Sequence, residues 1–239
     1  MFTDGFIARV VTVAGLAATI ACGAHDELSA DRRDPPAPVR SAPAASRPRI
    51  VVLGDSLTAG LGIAKEDAYP ALLQQRLNDE RLDYEVVNAG VSGDTSAGGL
   101  SRLDWALDGD VRILVVALGG NDALRGLPPD ELKHNLSAII ERAQARGIGV
   151  VLAGMEAPPN FGRQYQREFH NVYPALARQY HVPLVPFLLA GVAGSETLNQ
   201  RDGIHPTREG ARILADNVWS VLKPVLGQRT HAEGKPARD

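Results

Sequence analysis

Apolar and polar positions alternate between two periods along the central two thirds of the chain. Ile50-Val51-Val52-Leu53 is a short continuous apolar run closed by Gly54, the pattern of a strand buried on both faces. Further strands are predicted at Tyr84–Asn88, Val111–Leu118, Gly149–Met155 and Pro183–Phe187. Between them the period changes. Tyr69–Leu77 places Leu72, Leu73 and Leu77 on one helical face, and Gly98–Leu107 also reads as helical. Asp130–Arg146 predicts an amphipathic helix with Asp130 as its N-cap. Arg163–Tyr180 predicts a helix interrupted at Pro174, and Thr207–Leu222 predicts a closing helix. Strands alternating with helices at this spacing imply a parallel sheet with helices on both faces, an α/β domain of three layers. In such sheets ligands bind in loops after the carboxyl ends of the strands.

The flanks lack this patterning. Residues 10–21 form an apolar run ending at Cys22, too short to span a bilayer core but suited to the apolar region of a signal peptide. Residues 23–48 contain Pro35, Pro36, Pro38, Pro43 and Pro48 and balanced charges with almost no large apolar side chains. Such a segment cannot bury a core and is expected to be an extended tether. Residues 228–239 read as a polar tail. The organisation expected is therefore 1–22 signal peptide, 23–48 tether, 49–227 folded domain and 228–239 tail.

Composition narrows the function classes. The 239 residues are 44% hydrophobic and 22% charged, which excludes a wholly disordered chain. A formal net charge of −3 gives no nucleic-acid footprint. Cys22 is the single cysteine, so neither an intramolecular disulfide nor a cysteine-based zinc site can form.

Chemistry-bearing residues fall where the strand-end rule points. After the first strand comes Gly54-Asp55-Ser56-Leu57. A serine there opens a helix whose first amides carry partial positive charge, although an N-cap serine in a glycine-rich turn would look the same. After the second strand comes Asn88-Ala89-Gly90-Val91-Ser92-Gly93-Asp94-Thr95, and after the third Gly119-Gly120-Asn121-Asp122. An asparagine amide at this edge suits an oxyanion; it also suits a left-handed turn. Near the end stands Asp202-Gly203-Ile204-His205-Pro206. An imidazole that activates a serine needs a partner to hold its tautomer, and Asp202 can curl back to provide one. No Gly-x-Ser-x-Gly elbow and no phosphate-cradling Gly-x-x-x-x-Gly-Lys loop is present.

Together and in this order the four blocks resemble the SGNH (GDSL) hydrolase family. Within it the chain is similar to bacterial periplasmic esterases with arylesterase, acyl-CoA thioesterase and lysophospholipase activity. The resemblance implies a flavodoxin-like αβα fold on a five-stranded parallel sheet. It implies Ser56 as nucleophile, His205 as base and Asp202 as the residue orienting His205. It further implies an oxyanion hole from the Ser56 and Gly93 N–H groups and the Asn121 amide, with Gly90 as competitor for the glycine. Asp55, Asp94 and Asp122 then read as loop braces. The residues Thr19-Ile20-Ala21-Cys22-Gly23 resemble a bacterial lipobox, implying lipidation at Cys22; a cleaved secretory signal is the alternative.

The expected substrate is a small-molecule or lipid ester in the cell envelope, turned over by a monomer that needs neither metal nor cofactor. Leu124, Pro158 and Phe161, from the loops after strands three and four, are expected to wall the pocket. A carbohydrate O-acetyl esterase, an acyltransferase on the same site, or a tethered binding protein are the rival readings.

Overall fold

The computed structural model describes residues 47–233, with side chains to residue 227. The signal-peptide and Cys22 expectations, and the tether up to residue 46, lie outside the described residues. Five strands form one parallel sheet: β1 (Arg49–Gly54), β2 (Glu85–Gly90), β3 (Val111–Ala117), β4 (Gly149–Ala153) and β5 (Leu184–Val185). Their order is β2-β1-β3-β4-β5, that of a flavodoxin-like doubly wound sheet. The reversal of strand order falls between β1 and β3, and Gly54 pairs with both Gly90 and Ala117 at their carboxyl ends. Three of the four sequence blocks singled out above therefore begin side by side.

The helices are α1 (Ser56–Ala59), α2 (Tyr69–Asp79), α3 (Ser96–Ser101), α4 (Leu103–Ala106), α5 (Gly120–Leu124), α6 (Pro129–Ala145), α7 (Gly162–Tyr180) and α8 (Arg208–Glu233). β1 and β3 are buried over nearly their whole length, as their uninterrupted aliphatic runs require. β2, at the sheet edge, is mostly half-buried. On α6, Leu132, Leu136, Ile139, Ile140 and Ala143 recur every three or four residues and are all buried. No described helix is long and apolar enough to cross a membrane.

Four local expectations are corrected. Asp130 is not the N-cap of α6: Pro128 is, and Pro129 opens the helix, where its missing N–H costs no hydrogen bond. Asp130 instead adds negative charge to the first turn. Pro174 does not interrupt α7, which runs continuously through it. The carbonyl freed by Pro174 is that of His170, an exposed position where water can satisfy it. The stretch 98–107 is two short helices meeting at Arg102. Finally, α8 runs past Leu222, through Pro224, to Glu233.

Candidate active site

Ser56 is the first residue of α1, at the end of the inner strand β1, and is 9% exposed. Asp55 caps that helix, its Oδ1 accepting from the Leu57 N–H at 3.0 Å. His205 reaches Ser56 from the loop before α8, with Nε2 2.9 Å from the hydroxyl oxygen. Its Nδ1 lies 2.7 Å from Asp202 Oδ2. An ionised carboxylate can only accept, so Nδ1 carries the proton of the neutral ring, and Nε2 is left to accept from the Ser56 hydroxyl.

The Asp202 loop is held from inside. Its Oδ1 accepts from the backbone N–H groups of Ile204 and His205 at 2.9 and 3.0 Å. These bonds, with that from the His205 side chain, hold the Asp202 carboxyl well below the usual range. Gln200 fastens the loop to its surroundings. Its amide nitrogen donates to the carbonyls of Leu61 and Pro206 at 2.7 and 2.9 Å, and its backbone N–H donates to the His205 carbonyl at 2.7 Å.

On the other side of Ser56, the loop after β2 meets the turn after β3. Asn121 lies in the first turn of α5, and the left-handed residue there is Gly119 (φ 117°), not the asparagine. A Cβ at Gly119 would fall 2.0 Å from the Tyr173 hydroxyl, so conformation and space both require glycine. Asn121 Nδ2 donates to the Asp94 carbonyl at 2.9 Å and faces Asp55 Oδ2 at 3.3 Å. Gly90 and Gly93 separate cleanly. A Cβ at Gly90 would lie 2.3 Å from the Ala59 backbone nitrogen, so Gly90 lets β2 approach α1. Gly93 lines the cavity beside Ser56.

The three aspartates expected to be braces act differently. Asp55 caps backbone as expected. Asp94 pairs instead with the Arg102 guanidinium at 2.6 Å. Arg102 also donates to the Gly54 carbonyl at 2.9 Å, tying the Gly93 loop to the end of β1. Asp122 accepts from the Ser96 N–H at 2.8 Å and the Ser96 hydroxyl at 2.5 Å, linking α5 to the start of α3. Sequence reasoning missed Arg102 and also Arg125, whose guanidinium donates to the Gly93 carbonyl at 2.7 Å. Long charged side chains leave no local signal of the distant carbonyl they will reach.

Ser56, Gly93, Asn121 and His205 all line one cavity of about 690 Å³, within the range of small-molecule sites. Its walls are mainly apolar: Leu57, Leu61, Met155, Phe187, Leu189 and Ile204 among them. Leu124 and Pro158 line it as expected. Phe161 does not: its ring packs over Gly126 and against Tyr165, outside the wall. The Gly126 turn leaves room for an aromatic ring and draws Phe161 away. The wall from Phe187 to Gly194 went unanticipated, although the strand-end rule, applied to β5, indicates it.

A buried serine at the switch point of an αβα sheet, bonded to an imidazole that is bonded to a carboxylate, is the construction of a serine hydrolase. The comparisons narrow that class. The GDSL-like Lipase/Acylhydrolase family model matches residues 52–213. The chain is 48% identical over 178 residues to Esterase TesA of Pseudomonas aeruginosa, covering 74% of this chain and 89% of the relative. It is 38% identical over 184 residues to Thioesterase 1/protease 1/lysophospholipase L1 of Escherichia coli, covering 77% and 87%. It also resembles the crystal structure of the psychrotrophic esterase EstA from Pseudoalteromonas sp., with a TM-score of 0.71 and 32% identity over 75% of this chain and 98% of that one. The chain belongs to the GDSL-like lipase/acylhydrolase family and is a carboxylic ester hydrolase.

Proposed function

We propose that the chain hydrolyses acyl or aryl esters, or acyl thioesters, with Ser56 as nucleophile, His205 as general base and then acid, and Asp202 as the group that orients His205. The observation that carries this is the unbroken hydrogen-bonded line from Ser56 Oγ through His205 to Asp202, at 2.9 and 2.7 Å. In this reading Ser56 attacks the carbonyl carbon while its proton passes to Nε2. The tetrahedral intermediate collapses, and His205 protonates the leaving alcohol or thiol. Water, activated by the same nitrogen, then releases the acid from the acyl-enzyme. The Ser56 and Gly93 N–H groups and the Asn121 amide take the negative charge on the carbonyl oxygen.

The apolar cavity walls favour acyl and aryl substrates over acetylated glycans. EstA from Pseudoalteromonas sp. was solved in a form inhibited by monoethylphosphonate, and a phosphonate is the matching probe here. The test is a p-nitrophenyl ester series from acetate to palmitate with phosphonate titration. Turnover lost in step with labelling of Ser56 supports the reading. A folded protein that neither labels nor turns over any ester would overturn it. An exported monomer, anchored through lipid on Cys22, completes the proposal. Labelled palmitate incorporation that persists in Cys22→Ser would remove the anchor.

Two further outcomes are expected. Asn121→Ala should fold normally and lose about 100- to 1000-fold in kcat, the usual cost of one oxyanion donor; near-normal turnover would remove Asn121 from that role. Ala157 is buried in the cavity wall. Ala157→Leu should shorten the preferred acyl chain by roughly two to three carbons, because the added methylenes occupy cavity space. An unchanged chain-length profile would place the acyl group elsewhere.

A further inference from the structure

Asp55 is a carboxylate with 3% of its surface exposed, and capping α1 occupies only one of its oxygens. A serine, threonine or asparagine would cap equally well without burying a charge. Among the described residues no lysine or arginine forms an ion pair with it. Burial pushes its carboxyl up to about 6, against the opposing effects of the Leu57 N–H, the Asn121 amide and the nearby His205. The second oxygen, Oδ2, points at Asn121 Nδ2.

An asparagine amide has two ends of nearly equal shape and opposite hydrogen-bonding character. Only the nitrogen end can stabilise an oxyanion. Asn121 Nδ2 sits between two groups that accept and cannot donate, the Asp94 carbonyl and the ionised Asp55 carboxylate. A flipped amide would set oxygen against oxygen at both. We propose that Asp55 is a positioning residue that locks the Asn121 amide, keeping its nitrogen turned toward the oxyanion. This rests on Asn121 being an oxyanion donor. The amide has two hydrogens, and the 3.3 Å contact to Asp55 is the longer of the two; in this proposal that hydrogen is the one shared with the oxyanion. A protonated Asp55 can donate to the amide oxygen, so half of the lock is lost in acid. The other titratable groups facing Asp55 are His205, from the loop before α8, and the hydroxyls of Tyr69 on α2 and Tyr173 on α7. Both tyrosines are pushed upward by burial and stay neutral.

The test uses the full chain and p-nitrophenyl butyrate. Asp55→Asn keeps a capping oxygen but presents an NH2 group to Asn121, favouring the flipped amide. Its kcat should fall roughly 10- to 100-fold with KM within about threefold, and its unfolding midpoint at pH 8 should be no lower than that of the parent. If Asp55 acts through Asn121, Asp55→Asn/Asn121→Ala should be no slower than Asn121→Ala alone. The ratio of parent to Asn121→Ala kcat should also fall as pH drops through about 6; taking the ratio at each pH removes any pH effect that the two proteins share. This last measurement leaves Asp55 untouched, so it decides the matter even if Asp55→Asn fails to fold. Near-parental kcat in Asp55→Asn, additive losses in the double variant, or a flat ratio would each overturn the lock. Near-normal turnover in Asn121→Ala would instead overturn the oxyanion reading beneath it.

Discussion

Ser56→Ala should lose about six orders of magnitude in kcat while folding and binding ester much as the parent does. Removing the nucleophile of a serine hydrolase has an effect of this size because the acyl-enzyme route closes, leaving only background hydrolysis. A residual acceleration of about 10³–10⁴ over water would come from the oxyanion donors and the pocket. The small change in fold follows from the local structure. Ser56 is nearly buried, its hydroxyl bonds to His205, and the cap of α1 belongs to Asp55. Binding should survive because Leu57, Leu61, Met155 and the other wall residues are untouched. The checks are kcat on p-nitrophenyl esters, unfolding midpoint, and the dissociation constant of a slowly hydrolysed ester. More than about 1% residual turnover in a clean preparation would remove Ser56 from the nucleophile role.

What could be read from the sequence divides along physical lines. The inner strands β1 and β3 were legible because a strand covered on both faces demands an uninterrupted aliphatic run. That Ser56, Asn121 and His205 would meet at one cavity was legible because the topology collects strand-end loops, so distant blocks needed no distance information to be brought together. The failures concern competition between local and tertiary effects. Pro174 breaks a helix by local rules, yet Phe169, Val172, Tyr173 and Leu176 bury one face of α7 and hold it together. Phe161 carries the composition of a pocket wall, but its ring packs over a glycine turn whose conformation no short motif reveals.

Asp55 shows how function sets stability aside. Its carboxyl has a value of about 6 in the fold against 3.8 when solvated. The fold therefore binds this proton more tightly than the unfolded chain does. The associated stability is complete below about 3.8 and is lost as pH rises through about 6. Beyond that, ionised Asp55 costs on the order of 3 kcal/mol, which a neutral side chain would avoid. This is why Asp55→Asn should be no less stable than the parent at pH 8 even as it slows the enzyme. Strain and buried charge concentrate at such sites because catalysis, and not packing, selects them.

Asp202→Asn should lower kcat by about 10³- to 10⁴-fold with KM nearly unchanged, an effect larger than its exposed position suggests. Asp202 has 47% of its side-chain surface exposed, and removing an exposed charge usually matters little. Here the loss arises from the tautomer of His205. The asparagine oxygen can still accept from the Ile204 and His205 N–H groups, so the loop should keep its shape. The other end of the amide then presents N–H groups to Nδ1. That favours the ring with its proton on Nε2, pointed at Ser56 and unable to take the serine proton. The usual weakness of an exposed carboxylate is offset by three hydrogen bonds converging on it. These bonds hold its carboxyl well below the ordinary range, so it stays ionised wherever the enzyme is assayed. Because its value is depressed, the stability it lends the loop is present above the solvated carboxylate range and is lost only as pH falls below that range. Asp202→Asn should therefore lower kcat across the neutral and alkaline range and not only in acid. A loss below about tenfold, with folding intact, would mean that the Gln200 contacts orient His205 sufficiently without it.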